Sequence, residues 1–142
     1  MNPRCFISGL AALFYLSVVV AANASTQLET AMKHMSNAYK ALSFDLQQPD
    51  DANKGNYLSL AGILKTEAQT SRGLVPKKAA DLPADQQTAM VKAYQKSMDD
   101  LIQWIDSLTQ DIQNSQWEDA RKTMAAIKQQ MIYGHKDFRI KN

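Results

Sequence analysis

Residues 94–112 read YQKSMDDLIQWIDSLTQDI, and this stretch decides the fold. Its apolar residues Tyr94, Met98, Leu101, Ile105, Leu108 and Ile112 recur at spacings of four and three. That rhythm follows the helical turn and places all six on one face of an α-helix. Lysine, aspartate, glutamine, serine and threonine occupy all the remaining positions but Ile102 and Trp104. A half-buried strand would alternate every second residue, and this stretch does not. The apolar face has to be buried against something, and the rest of the chain supplies three more faces of the same kind.

Working outward, this helix is expected from about Ala84 to Asn114, with Pro83 tolerated at its first turn and Asp81 as its cap. Downstream, Trp117, Ala120, Met124, Ile127, Met131 and Phe138 form a stripe on a helix from about Gln116 to Ile140, and Ser115 and Glu118 have capping-box spacing. Upstream, Tyr57, Leu60, Ala61, Leu64 and Ala68 mark a helix from about Asn53 to Ser71, closed by Gly73 and Pro76. Earlier still, Leu28, Met32, Met35, Tyr39 and Leu42 mark one from about Thr26 to Asp45, with Thr26 and Glu29 as a second capping box. Residues 72–83 are the longest connection, basic and expected to be exposed. Four amphipathic helices with these connections predict an all-α, antiparallel, up-down-up-down four-helix bundle. No period of repeat length recurs, which argues against a helical array.

The first residues have a different character. Arg4 precedes an apolar run from Phe6 to Val20, and Ala22-Asn23-Ala24 has the small-x-small form of a cleavage site. The run is shorter than the roughly 20 residues of a membrane span. Residues 1–24 are therefore expected to be a cleaved signal peptide, and 25–142 the exported, periplasmic domain. The only cysteine, Cys5, falls within the leader. The mature chain can then form no disulfide, thiolate metal site or thioether link to haem. It retains 15 basic residues against 14 acidic ones, because the leader removes only Arg4. Without a concentrated basic face, nucleic acid is not an expected partner, and nothing after residue 24 is apolar enough to span a membrane.

An up-down-up-down order places the start of the first helix beside the end of the last. Met32 and His135 each lie about eight residues from the mature termini, some two turns in from the same end of the bundle. Met32 is on its apolar stripe and His135 borders its own. A thioether and an imidazole on opposite sides of an iron are a common low-spin haem ligation. Methionine also serves as plain core packing, and a border histidine as a hydrogen-bonded core residue. The residues alone leave these alternatives open. Met35, one turn deeper, is the substitute thioether. His34 is turned about 200° from Met32 and is expected to face solvent. No inward Glu-x-x-His pattern, serine nucleophile motif, phosphate loop or carboxylate pair is present, and Trp104 and Trp117 suit packing or rim positions.

Over nearly the whole mature length, the chain resembles the soluble periplasmic cytochrome b562 family. Leu28-Glu29-Thr30-Ala31-Met32 is similar to the family's Leu-Glu-x-x-Met, and His135-Lys136-Asp137-Phe138-Arg139 to its His-x-x-aromatic-Arg. The resemblance implies that Met32 and His135 are the axial ligands of one haem. In the related c-type bundles, Cys-x-x-Cys-His occupies the frame that here reads Met131-Ile132-Tyr133-Gly134-His135. Haem is then held without covalent links, as haem b. The chain departs from the family pattern at Met131, where an arginine is usual. It also departs at Tyr94 and Met98, where phenylalanines line the haem, and at Gly134, where an aromatic is common. The function implied is a monomeric, non-enzymatic electron carrier with a transient redox-protein partner. The competing expectations are a cofactor-free binding or chaperone-like bundle, and a divalent-metal binder using His34, His135 and surface carboxylates.

Overall fold

The computed structural model describes residues 11–139, with side chains from residue 25 onward. The elements in chain order are α1 (Ala11–Asp45), α2 (Lys54–Arg72), the short α3 (Lys77–Ala80), α4 (Ala84–Gln113) and α5 (Trp117–Phe138). A single 3₁₀ turn, Asp51–Asn53, leads into α2, and no strand occurs among the described residues. No described helix is long and apolar enough to cross a membrane.

Cross-helix pairs fix the order of the bundle. On α1 and α2, His34 meets Glu67 and Asp45 meets Asn56, so numbers rise along one helix as they fall along the other. The same opposition holds for α2 and α4, where Lys65 pairs with Asp106 and Arg72 with Asp99. It holds again for α4 and α5, through Gln130 with Ser97 and Thr123 with Asp111. Between α1 and α5, Tyr39 donates to the Met124 carbonyl and Arg121 to the Leu46 carbonyl. The sequential long helices pack with their backbones close together, whereas α1 and α5 stand wider apart.

All six apolar residues of the opening stretch are buried on α4. They pack with Met35, Leu42, Leu46, Tyr57, Leu64, Met124 and Ile127 in one core. On α1 the buried line is Ala31, Met35, Ala38 and Leu42, continued by Leu46 just past its end, while Leu28, Met32 and Tyr39 are only partly buried at its side. The two alanines let α2 approach closely, which turns the larger stripe residues toward α5.

Several boundaries differ from the sequence expectation. Helix α1 does not start at Thr26: its backbone is helical from Ala11, and residues 11–25 contain neither glycine nor proline to stop it. The expected leader lies outside the residues with described side chains, and Ile140 outside the described residues altogether. Asp81 does not cap α4; it sits at the C-terminal end of α3, and the α4 N-cap is Pro83 with extended backbone. Nor does Ser115 form a capping box with Glu118. Ser115 has a left-handed φ of 56°, and its hydroxyl donates to Asp51 at 2.6 Å. A tight turn between two long helices claims the serine first. Finally, the 72–83 connection is not simply an exposed loop. Pro76 and Ala79 are buried, and Lys78 Nζ donates to the Asp137 carbonyl at 2.7 Å. Proline sets an extended entry and alanine has no long side chain to hold the backbone away, so α3 lies flush on the bundle end.

Tyr94 closes that end from within. Its hydroxyl donates to the Ser71 carbonyl at 2.9 Å, and its ring meets Phe138 edge-on with centroids 5.3 Å apart. Burial pushes its phenol far above the ordinary value of 10.0. The folded state therefore favours the neutral phenol. That contribution is complete below about pH 10 and is lost as pH rises beyond it. The alkaline loss of stability, followed by urea unfolding from pH 8 to 11, should be shallower in Tyr94→Phe than in the wild type. Ile105 is fully buried at mid-core. Ile105→Ala should cost about 2–5 kcal/mol in the same unfolding measurement, with the helical circular dichroism of the folded protein retained.

Candidate functional site

Met32 and His135 lie on the two helices that flank the α1–α5 seam. Tyr39 faces α5, since its hydroxyl reaches the Met124 carbonyl at 3.3 Å. Met32 precedes Tyr39 by seven residues, which changes its direction by only about 20°. It therefore turns toward α5 as well, half-buried against the core. On α5, Arg121 faces α1 through its bond to the Leu46 carbonyl. His135 follows Arg121 by fourteen residues, a change of direction of about 40°. Its ring is thus presented on the α1 side of α5, but it is exposed rather than buried.

Heights along the bundle can be compared from the Tyr39–Met124 bond. Met32 lies about 10 Å from that level and His135 about 16 Å in the same direction, at about 1.5 Å per residue. Their α-carbons differ in height by about 6 Å, roughly one helical turn. Each Cα–Cβ bond tilts toward the N-terminus of its own helix. In helices that run opposite ways, this tilts Met32 toward the height of His135 and His135 toward that of Met32. The wider α1–α5 spacing leaves this seam the least tightly closed of the long-helix interfaces.

The surroundings are apolar. Leu28, Met131 and Phe138 are partly buried against the core, and Tyr94 and Met98 are nearly fully buried beneath them. Met131 stands on the inner stripe one turn before His135. Gly134 has open space where a Cβ would be. Lys78 of α3 holds the end of α5 through Asp137. Sequence patterns did not disclose that contact, because it comes from a connection whose burial depends on the assembled bundle end.

Other candidates lie elsewhere. Met35 is 2% exposed and packed in the central core, so it does not line the seam beside Met32. His34 turns toward α2, where its Nδ1 stands 2.9 Å from Glu67 Oε1. It borders an open groove with Ala38, Ala41, Leu60 and Ile63 on the opposite flank of α1. Trp117 packs edge-on against Tyr57 at the far end of the bundle, with Lys54 over its ring, while Trp104 is exposed on α4. Among the described residues, no group of three or more histidines, cysteines or carboxylates gathers to hold a metal ion.

The arrangement therefore offers one thioether and one imidazole, on facing helices, at one end of an apolar bundle. That donor set suits a six-coordinate low-spin haem iron better than a hard cation, which prefers oxygen ligands. Comparison with curated proteins and with solved structures returned no match. Comparison with family models gave a match to cytochrome b562 over residues 27–139, a span that takes in both Met32 and His135, α1 from residue 27 onward and the whole of α2, α4 and α5. By that match and the bundle it describes, the chain belongs to the cytochrome b562 family.

Proposed function

We propose that the protein is a small electron carrier of the periplasm, holding one non-covalent haem b between Met32 and His135. Haem binding as a class of function follows from family membership. What supports the pairing is the placement of the two residues on the facing sides of the wider α1–α5 seam, at heights about one turn apart.

Bound there, the haem iron supplies one-electron cycling between ferrous and ferric states. Met32 offers a thioether, a ligand that favours the reduced iron and raises the potential. His135 offers an imidazole, once its exposed ring is turned into the seam. Leu28, Met98, Met131 and Phe138 provide the apolar walls that exclude water. Met131 and Gly134 stand where thioether-forming cysteines would be, so no covalent attachment is available. If Met32 and His135 both hold the iron, no coordination position would be left for a substrate, in keeping with an electron carrier rather than an enzyme. Export rests on residues 1–24, and expression of the full chain should yield a periplasmic protein beginning at Ser25 by mass spectrometry.

A cofactor-free binding bundle is the second reading, favoured by the exposure of His135 and by the packing already present around Tyr94 and Phe138. Haem titration separates the two. The wild type should give a low-spin spectrum, oxidised and dithionite-reduced, with colour removable by acid–organic extraction. Met32→Ala should convert it to high spin, and His135→Ala should weaken binding at least tenfold. A protein that stays colourless rejects the haem reading, and a Met32→Ala spectrum identical to wild type rejects Met32 as the ligand.

A further inference from the structure

The outer rim of the seam carries charge that the core packing does not explain. On α5, Lys128, Ile132 and His135 are spaced four and three apart along one flank of the helix, and Arg139 follows as the residue that caps its C-terminal end. All four are exposed, with Ile132 at 48%. On α1 the exposed Lys33 follows Met32 and is turned about 100° from it toward solvent, and the exposed Lys136 follows His135 on α5. None of Lys33, Lys128, Lys136 and Arg139 is held in an ion pair among the described residues. Glu29 and Asp137 are the acids beside them, while Glu67, Asp81 and Asp85 lie at the same end on other elements, Glu67 paired with His34.

The opposite end of the bundle has the reverse balance. Asp50, Asp51, Asp111, Glu118 and Asp119 gather there, and Lys54 and Lys122 are engaged with Asp51, Glu118 and Asp119. A nearly neutral chain is thus polarised along its axis, with the positive end at Met32 and His135. Opposed surface potentials steer encounter and set orientation more than they add affinity.

We infer that the rim formed by Lys128, Ile132 and Arg139, with Lys33 beside it on the outer face of α1, is the docking surface for an acidic face of a redox protein. The inference rests on the electron-carrier reading. The basic side chains select and orient an acidic partner over the seam. Ile132 supplies a small apolar contact from which water can be expelled. Electrons then cross by the shortest route, beside His135.

Two small oxidants of opposite charge test this on the haem-loaded protein, by stopped-flow at varied ionic strength. The probes are hexacyanoferrate(III) and tris(1,10-phenanthroline)cobalt(III). The rate with the anion should fall as salt rises, and the rate with the cation should rise. Lys128→Glu/Arg139→Glu should slow the anionic oxidant about tenfold at low salt, within the range typical of steering. Lys54→Glu/Lys122→Glu makes the same change of net charge at the far end. It should leave the rate within about twofold at roughly 0.1 M salt, where charges more than about 10 Å away are screened. A red, low-spin protein whose two probes share one salt dependence, or whose far-end variant has the larger effect, overturns the docking surface and leaves the haem site standing. A colourless protein overturns both.

Discussion

Spacing between the first and last helices is the constraint on which the rest of this structure depends. Two hydrogen bonds, from Tyr39 to the Met124 carbonyl and from Arg121 to the Leu46 carbonyl, tie α1 to α5. Both lie on the far side of Met32 from the chain end. They set the angular position and the height of everything further along both helices. Because a helix is stiff, fixing it at Tyr39 also fixes the direction of Met32 one heptad away. Fixing α5 at Arg121 does the same for His135.

Close approach elsewhere makes the seam distinctive. Small residues on α1, Ala31 and Ala38, allow α2 to come near, and the six-residue apolar face of α4 is covered fully by its neighbours. The larger partly buried residues Leu28, Met32 and Tyr39 are then turned to the α5 side. At the site end, α5 contributes no fully buried side chain beyond Ile127 among the described residues; Met131 and Phe138 are only partly buried. The polarity of surface charge follows the same axis, so the weakly closed end is also the electropositive one.

Local signals and tertiary demands disagreed most at the helix ends. Ser115 and Glu118 have the spacing of a capping box, yet the turn between α4 and α5 forces Ser115 into a left-handed backbone and directs its hydroxyl to Asp51. Asp81 has the chemistry of a cap but follows α3, an element that forms only because Pro76 and Ala79 can lie against the assembled bundle. Such short-range polar choices are worth about 1 kcal/mol each. That is too little to resist the packing of whole helices.

Periodicity by itself determined the four long helices, the buried face of α4, the central buried residues of the others, and the residues able to act as donors. The reason is that a 3.6-residue turn converts spacing directly into direction. Alternation of four and three along 94–112 needed no neighbour to be read. The placement of Met32 and His135 at one end followed from helix count and order, again without coordinates. Only the tertiary structure decided which side of each stripe meets which partner. It buried Met35 and left Met32 on the seam, it turned His34 away toward Glu67, it exposed His135, and it folded residues 77–80 onto the end of α5. Those outcomes depend on distances between separate helices, and spacing within one helix carries no information about them.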